Sequence, residues 1–203
     1  MADNKKQLIN CYLYGNIEKE IIFTAKLKDN TQGYFYFVEP ECKECIAQGL
    51  KMLSSTSRSF RFNYAVKKFS KIELKYLTDI DNYNHLSIGC HNPDKSDYPG
   101  MGIARYIRLA EKPDTAEIAI TVLDEYQNKG LGTILLSLLV KYGVKNDILF
   151  FCGYVKANNQ AMLALLDRFG FQIKRKEYSL LYIEAELSKC YEQTERVLQT
   201  QRS

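Results

Sequence analysis

The clearest pattern in the chain is an apolar stripe that recurs every three or four residues after position 130. Its members are Leu131, Ile134, Leu135, Leu138, Leu139 and Tyr142. This spacing predicts an amphipathic helix with one buried face. Gly143 predicts where that helix ends. A second, shorter stripe predicts a helix over about 158–169, which Gly170 ends.

Runs rich in β-branched and aromatic residues predict strands on both sides of the first helix. Those before it cover 9–25 (with a turn near Gly15), 34–38, 84–90, 101–110 and 116–123. Those after it cover 148–152, which is apolar throughout, and 171–187, which alternates as a hairpin does. A continuous apolar strand is typical of a strand covered on both faces.

Polar signals place the remaining helices. After Pro40 the pattern is helical to about Met52, and we interpret the polar cluster 53–59 (LSSTSRS) as its end. Ser70 and Glu73 have capping-box spacing and predict a short helix that follows them. The segment from Ser188 onward is polar and predicts only a frayed helix.

The second half therefore has the element order β-β-β-α-β-α-β, which predicts an α/β (α+β) fold with a mixed sheet and helices on both faces. No repeat or Pro/Gly-rich linker divides the chain. We expect a principal domain over 46–187, an N-terminal extension (1–45) packed on it, and a polar C-terminal tail (188–203).

Composition excludes several classes of protein. The net charge of +4 is mild and scattered, whereas a nucleic-acid-binding protein shows a basic stripe. The N-terminal sequence lacks a signal peptide's apolar region, and no apolar run approaches eighteen residues. We therefore expect a cytoplasmic protein with reduced thiols, bound to neither nucleic acid nor membrane.

The cysteines and histidines do not form a recognisable metal motif. Cys42 and Cys45 have the spacing of a zinc or redox pair, but no second pair completes a site. The two histidines, His85 and His91, lie far from them in the sequence. We expect no metal site and interpret the two thiols as part of a surface helix.

The strongest chemical signal is a glycine turn between the third central strand and the long helix. Gly130 and Gly132 let the backbone approach a ligand, and the amides of the first helical turn lack intrahelical acceptors. This arrangement favours a bound phosphate. The Walker pattern is absent, and Leu135 stands where a dinucleotide fingerprint has its third glycine. What remains is Q-x-x-G-x-G, beginning at Gln127.

Residues 116–140 (AEIAITVLDEYQNKGLGTILLSLLV) resemble the acyl-CoA motif of the GNAT superfamily of N-acetyltransferases. Residues 159–171 (NQAMLALLDRFGF) resemble the second motif of that family. Upstream, 53–62 and 77–89 are similar to bacterial protein lysine acetyltransferases of the Pat type. The resemblance covers about residues 50–175 and implies a GNAT-like, mostly antiparallel sheet and acetyl-CoA as acyl donor.

The resemblance also implies a donor site. Backbone groups of Thr121, Val122 and Leu123 would pair with the pantetheine arm. The amides expected to hold the pyrophosphate belong to Gln127, Asn128, Lys129, Gly130, Leu131, Gly132 and Thr133. Lys129 would also screen the phosphate charge. Asn159 would contact the cofactor, cap its own helix, or do both.

Transfer to an amine requires a base, because an alkyl amine has a pKa of about 10.4 and is protonated at neutral pH. Glu117 is the candidate, since Pat-type enzymes carry a glutamate at the similar strand position. On its strand it shares a face with Ala119, Thr121 and Leu123. We expect these neighbours to desolvate the carboxylate partly, which makes it a better proton acceptor.

The general acid has no clear candidate in the sequence. Many relatives supply it from a tyrosine in the last helix, where this chain has Leu166. Water, Tyr142 or Tyr178 remain open as proton donors. We expect Cys152, within an apolar strand, to be a packing residue and not a nucleophile.

Three functions remain open from the sequence. The first is an N-acetyltransferase acting on a protein lysine or N-terminal amine. The second is an enzyme acting on a small amine, and the third is a non-catalytic acyl-CoA-binding module. The expected partners are acetyl-CoA and an amine acceptor, and a homodimer is compatible with the sequence.

Overall fold

A computed structural model describes residues 8–11, 17–62, 66, 68–95 and 99–201 of the chain, with side chains from residue 20 onward. The strands are β1 Leu8–Cys11, β2 Ile17–Lys26, β3 Gln32–Phe37, β4 His85–His91, β5 Gly102–Leu109, β6 Lys112–Val122, β7 Phe150–Lys156, β8 Gln172–Glu177 and β9 Leu180–Glu186. The α-helices are α1 Lys43–Met52, α2 Ser55–Arg61, α3 Lys71–Thr78, α4 Leu131–Lys145, α5 Gln160–Arg168 and α6 Leu187–Thr200.

The strands form one sheet in the order β1-β2-β3-β4-β5-β6-β7-β9-β8. Every neighbouring pair is antiparallel except β6 and β7, which are parallel. The prediction of a mixed, mostly antiparallel sheet is therefore confirmed. Strands β2 and β3 belong to the same sheet, because β3 pairs with β4 from Tyr34–His91 to Phe37–Ile88.

The sheet opens in its middle, between the two parallel strands. Their ladder contains three pairs, from Thr115–Phe150 to Glu117–Cys152, although β6 continues to Val122 and β7 to Lys156. The other edge of β6 stays paired with β5 as far as Gly102–Val122. Beyond Glu117 the two parallel strands therefore diverge and leave an open edge on β6.

Helices cover both faces of the sheet, as the sequence predicts. Helix α4 covers one face, where Leu131 and Leu135 approach Gly102 so closely that an added Cβ would lie 3.2 and 3.3 Å from them. Alternation along β5 places Ile103 and Arg105 on the opposite face. There they line one cavity together with Leu50 of α1.

Helix α1 ends at Met52, as predicted, but the serine cluster that follows it also begins helix α2, which the sequence pattern did not indicate. The hydroxyl of Ser54 accepts a hydrogen bond from the Ser57 amide at 3.1 Å and caps the new helix. The hydroxyls of Ser54 and Ser57 both donate to Asp124, at 2.7 and 2.8 Å. A distant carboxylate thus fixes a helix that local sequence signals do not distinguish from a loop.

The glycine predicted to end α4 lies inside the helix, which continues to Lys145. A Cβ at Gly143 would lie 2.7 Å from the ring of Phe151 and 2.8 Å from Leu187. Gly143 therefore permits close packing of α4 against β7 and α6 and is not a helix stop. The prediction for α5 is confirmed, and Gly170 follows it with a φ of +78°.

The C-terminal segment is a regular helix and not the frayed one that its polar composition indicated. Helix α6 contacts α4 and buries Leu187, Cys190, Thr194 and Leu198. The capping box of α3 is confirmed, since Ser70 and Glu73 bond each other's backbone amides at 3.2 and 2.7 Å. The turn predicted near Gly15 lies outside the described residues.

Two findings concern the protein's environment. Among the described helices, none combines the length and the apolar character needed to cross a bilayer. None of the five cysteines whose side chains are described takes part in a disulfide.

Candidate active site

A cleft of about 790 Å³, here called the central cleft, occupies the gap between the diverging strands. Strand β6 forms one wall from Glu117 to Val122, and β7 forms the other from Gly153 to Val155. The glycine turn and the starts of α4 and α5 complete it. The structure therefore brings most of the predicted donor-binding residues to one place.

The register of β5 and β6 identifies which backbone groups face this cleft. The Leu123 amide donates to the Met101 carbonyl at 3.0 Å, so it points toward β5. Because backbone direction alternates along a strand, Thr121 also bonds toward β5, whereas Ile118, Ile120 and Val122 face the cleft. Consistently, the Val122 carbonyl accepts a hydrogen bond from Gln127 Nε2 across the open edge at 3.1 Å.

Of the three residues expected to pair with the pantetheine arm, only Val122 has backbone groups that face the cleft in this register. Thr121 lines the cleft but bonds to β5, and Leu123 lies beyond the strand, with its carbonyl accepting the Tyr126 amide at 2.8 Å. The backbone groups of Ile118 and Ile120 face the cleft as those of Val122 do. The motif alone did not indicate this, because the direction of a backbone group follows from the register.

The glycine turn has the conformation that its sequence predicts. Gly130 has a φ of +91° and Asn128 a φ of +61°, so the chain passes twice through the left-handed region. Within the described part of the chain, the amides of 128–132 have no backbone acceptor, whereas those of Gln127 and Thr133 bond to Asp124 and Gly130. Of the seven amides predicted to bind the phosphate, the five between them are the ones without such an acceptor, and phosphate binding by the set stays a prediction.

The side chain of Gln127 makes contacts that the prediction for its backbone amide did not include. Its side-chain nitrogen donates to the Val122 carbonyl and to the Ser57 hydroxyl, both at 3.1 Å. The side chain therefore joins the end of β6 to helix α2. This explains why a glutamine opens the motif, and it makes Gln127 a positioning residue for the turn.

Positive charges surround the outer part of the cleft. Lys28, Lys129, Arg168 and Arg196 all line it, and Arg168 donates to the Thr133 hydroxyl at 3.4 Å. Arg196 comes from α6, which the sequence did not associate with the site. An anionic ligand would find cations from four separate elements here.

Lys129 is engaged in an ion pair. Its ammonium lies 2.8 Å from a carboxylate oxygen of Asp29, which comes from the β2–β3 turn. The hydrogen bond to Lys129 lowers the pKa of Asp29 to about 2. A bound phosphate would therefore compete with Asp29 for this lysine.

Asn159 lies at the start of α5 and lines the cleft. Its side-chain oxygen accepts a hydrogen bond from the Met162 amide at 3.2 Å, so the prediction of an N-cap is confirmed. A contact between Asn159 and the cofactor stays a prediction. Capping uses the oxygen and leaves the side-chain nitrogen as a potential donor.

Glu117 lies at the inner end of the cleft, at the last paired position before the strands diverge. Its side chain is exposed, so the expectation that neighbours on its strand desolvate it is wrong. It lines the central cleft on the same face of β6 as Ala119 and Thr121.

Cys152, the β7 partner of Glu117, is buried, and burial raises its pKa. The neighbouring carboxylates of Glu117 and Glu184 raise it further, whereas a hydrogen bond with Tyr182 opposes them. Cys152 is therefore a protonated thiol at neutral pH. This agrees with the packing role expected from the sequence.

The two tyrosines considered as proton donors do not line the central cleft. Tyr142 is half-buried and packs edge-on against Phe37, while Tyr178 is fully exposed in the β8–β9 turn. Leu166 is buried, as befits a packing residue. Tyr154 of β7 does line the cleft, and its hydroxyl accepts a hydrogen bond from Arg175 at 3.1 Å.

A second cavity of about 120 Å³, here called the side cavity, lies on the face of the sheet opposite α4. Its walls are mainly apolar and include Leu50, Leu53, Phe62 and Phe69. Three residues, Arg61, Ala119 and Thr121, line both cavities. The side cavity therefore borders the central cleft at Ala119, the next residue after Glu117 on the same face of β6.

The CxxC pair also belongs to the side cavity. Cys42 is buried and Cys45 is partly buried, and both line the cavity wall. The expectation of two thiols on a surface helix is therefore wrong, because the 3₁₀ turn Pro40–Cys42 directs the start of α1 onto the sheet.

Arg105 is the most deeply buried charge along the side cavity, with 5% of its surface exposed. One of its nitrogens bonds to the Leu77 carbonyl at 3.2 Å and lies 3.3 Å from His85 Nε2. Burial, with repulsion from Arg61, lowers the pKa of Arg105 to about 9. Burial, with repulsion from Arg105, lowers the pKa of His85 to about 4.

An open strand edge beside a glycine turn at a helix start, with a carboxylate at its inner end, defines an acyl-CoA-dependent transferase domain. The profile of the acetyltransferase (GNAT) family matches residues 54–171. The chain belongs to this family, and the sequence prediction of an acetyl-CoA-dependent acetyltransferase domain is confirmed.

Individual relatives agree with this assignment. The chain is 28% identical to acetyltransferase Pat of Mycolicibacterium smegmatis over 163 residues, which are 77% of this chain and 47% of that protein. It is 30% identical to acetyltransferase PA5475 of Pseudomonas aeruginosa over 131 residues, which are 64% of this chain and 70% of that protein. The chain thus spans about half the length of the mycobacterial relative.

The solved GNAT domain of S. lividans PAT has the same fold. It superposes with a TM-score of 0.74 at 20% identity and covers 80% of this chain and 95% of that domain. At this identity the likeness supports the fold, and the roles of individual residues rest on the geometry described above.

Proposed function

We propose that the protein transfers the acetyl group of acetyl-CoA directly to a primary amine, with Glu117 as the base. One observation carries the proposal: the β6 edge that lacks a strand partner runs from the phosphate-binding turn inward to this carboxylate. The pantetheine arm is an amide-containing chain and can act as the missing strand.

The donor end of the proposal rests on the turn and its charges. Five amides, at 128–132, have no backbone acceptor among the described residues, and together with the start of α4 they favour a pyrophosphate. Lys28, Arg168 and Arg196 line the same part of the cleft and favour its negative charge. The acyl end of acetyl-CoA then lies near the last pair of the β6–β7 ladder.

In the proposed reaction the acceptor arrives as an ammonium and gives a proton to Glu117, directly or through water. The amine nitrogen attacks the thioester carbonyl, a C–N bond forms, and the C–S bond then breaks. The leaving thiolate takes up a proton, so that an ammonium and acetyl-CoA yield an acetamide, CoA thiol and one proton. Cleft-facing amides of β6 are suited to stabilise the intermediate oxyanion.

Tyr154 is the side chain we propose as the proton donor to the thiolate. It lines the cleft on the β7 wall, two residues from the partner of Glu117. The hydrogen bond from Arg175 orients its hydroxyl. No other residue assigned from the sequence supplies an acid at this place, since Leu166 is apolar.

The resemblance to Pat-type enzymes favours a protein lysine or N-terminal amine as acceptor. A second candidate, a small amine, is favoured by the side cavity, because its volume of about 120 Å³ suits a compact molecule and it joins the cleft at Ala119 and Thr121. Both candidates share the chemistry described above and differ in what surrounds the amine.

The decisive experiment compares the parent protein with Glu117→Gln in assays of CoA release, using peptide lysines and small amines as acceptors. We expect kcat to fall by about 10²–10³ and the acid limb of the pH profile to disappear, because a general base contributes roughly this factor. CoA affinity, measured by calorimetry, should change less than about twofold.

The matched control is Glu184→Gln, which removes the carboxylate on the other side of Cys152 and should keep most of the activity. A Glu117→Gln variant with the parent kcat and pH profile would refute the base assignment. CoA binding without turnover of any amine would instead support the non-catalytic module, and absence of CoA binding would refute the proposal as a whole.

A further inference from the structure

We infer that the side cavity binds an acceptor that carries a carboxylate as well as its amine, on an apolar body, and that Arg105 recognises this carboxylate. The acceptor class is therefore the free amino acids and related amino-carboxylates. This inference rests on the proposed function, because it assigns the acceptor for the same reaction.

The first argument is the environment of Arg105. A buried charge is costly unless a counter-ion compensates it. Within the part of the chain that the structure describes, no aspartate or glutamate forms an ion pair with Arg105, and its only hydrogen-bond partners are Leu77 and His85. His85 is neutral at physiological pH because its pKa is about 4. The compensating anion is thus absent from the described protein.

A second cation strengthens the case for an anion. Arg61 of α2 also lines the side cavity, and its charge disfavours the charged form of Arg105. Both guanidinium groups therefore line the same cavity. A carboxylate beside Arg105 offsets the repulsion from Arg61 and can accept paired hydrogen bonds from the planar Arg105 guanidinium.

The third argument is the chemistry of the remaining wall. The cavity is lined by aliphatic and aromatic side chains, among them Val38, Ile46, Leu50 and Phe69. Such a wall favours an apolar substrate body. An apolar amine with one negative group fits the observed combination better than an extended polar chain does.

The fourth argument is the position of the cavity relative to the proposed base. Arg105 is the β5 partner of Ala119, and Glu117 lies two residues before Ala119 on the same face. Diagonal neighbours of this kind have their Cα atoms about 7–8 Å apart. One small molecule can therefore present its carboxylate toward Arg105 and its amine toward Glu117.

The test uses matched substrate pairs that differ only in the carboxylate. With the full chain and saturating acetyl-CoA, CoA release is measured for leucine against 3-methylbutylamine, phenylalanine against phenethylamine, and 6-aminohexanoate against pentylamine. We expect kcat/KM to be at least tenfold higher for the carboxylate in at least one pair. Equal or lower values in all three pairs would overturn the inference.

Variants of Arg105 locate the source of this preference. In Arg105→Met the ratio of kcat/KM within the preferred pair should fall toward one. In Arg105→Lys, which keeps the charge but loses the planar pair of donors, it should be intermediate. The matched control is Arg108→Met, which removes another β5 arginine, one that bonds the Asn146 carbonyl on the opposite side of the sheet. This control should keep the parent ratio.

A binding measurement on the parent protein tests the inference without any variant that could fail to fold. On the parent protein loaded with CoA, calorimetry compares N-acetylleucine with N-(3-methylbutyl)acetamide, and the carboxylate product should bind at least tenfold more tightly. Equal affinities would contradict a role for Arg105. Turnover of peptide lysines with no carboxylate preference would overturn this inference and leave the proposed acetyltransferase intact, whereas loss of CoA binding would remove both.

Discussion

The central cleft and the side cavity border each other at Ala119 and Thr121, yet different kinds of chemical group line them. The central cleft presents backbone groups of β6 and of the glycine turn, together with cations on its outer part. The side cavity presents side chains, nearly all apolar, around one buried arginine. Backbone recognition requires glycines at fixed positions, and this is why the donor site is visible in the sequence. Recognition by side chains from many separate elements leaves no such pattern in the sequence.

Because different groups line the two regions, a substitution in one region should weaken binding of its own ligand and leave binding of the other ligand unchanged. The largest effect is expected for Gly130→Val. Gly130 has a φ of +91°, where a β-branched residue is strained by about 1–2 kcal/mol or more, and the turn must distort to relieve it. We expect the Kd for CoA, measured by calorimetry, to rise by about a hundredfold. The thermal midpoint of the ligand-free protein should change only slightly. An unchanged Kd for CoA would contradict the phosphate-binding role of the turn.

The complementary change is Gly49→Leu in α1. A Cβ at Gly49 meets no atom within 4 Å, and the residue lines the side cavity, so the new side chain has room to enter it. We expect the acceptor KM to rise about tenfold with CoA affinity unchanged. Gly49→Ala serves as the control, because it adds little volume to the cavity. A rise in the CoA Kd with an unchanged acceptor KM would reverse our assignment of the two regions.

A smaller effect is expected when the ion pair beside the central cleft is removed. In Asp29→Asn, Lys129 loses a partner at 2.8 Å and becomes available to a phosphate. We expect CoA to bind about two- to threefold more tightly at low salt, and this gain should vanish in ~1 M salt, where charges are screened within about 3 Å. Asp79→Asn, which removes the exposed α3 pair with Lys75, should leave CoA affinity unchanged.

The smallest effects concern stability at acid pH, where His85 and Asp29 lose their contributions in different pH ranges. His85 has a folded pKa of about 4 against an ordinary 6.5, so between these values the unfolded chain binds a proton that the folded protein does not. The free energy of unfolding should therefore fall as the pH drops from 6.5 to 4. Asp29, with a pKa of about 2 against 3.8, contributes stability that is lost between those two values.

Thermal midpoints across this range test the two steps. His85→Gln should flatten the curve between pH 6.5 and 4, and Asp29→Asn should flatten it only below about pH 4. The parent curve should otherwise rise with pH in both windows. A His85→Gln curve parallel to that of the parent above pH 4 would show that burial of this histidine does not contribute.

The fold was largely predictable because its elements carry local signals. The stripe of α4, the capping box of α3 and the alternation of β8 and β9 all depend on residues close in sequence. Helix α2 depends on Asp124, about seventy residues away, and so its serine cluster resembled a loop. In α6, the buried positions Leu187, Cys190, Thr194 and Leu198 do follow a helical period, but their polar members concealed it.

The site was predictable in part for the same reason. The turn and the strand of Glu117 were identified from the motif, whereas the cleft-facing backbone groups of Ile118 and Ile120 required the register of β5 and β6. The exposure of Glu117 depends on where the helices end above the sheet. Arg105 gave no sequence signal at all, since an arginine in a strand is ordinary until its burial is known.

The three-pair ladder between β6 and β7 has a further consequence for the life of the protein in the cell. An unpaired strand edge is a template on which another extended chain can add, and native proteins normally cover such edges. In the proposed function this edge must stay open, because the pantetheine arm of the donor pairs with it. The donor-bound protein would therefore cover a strand edge that the donor-free protein exposes to other chains. We therefore expect the protein to aggregate most slowly when acetyl-CoA is abundant.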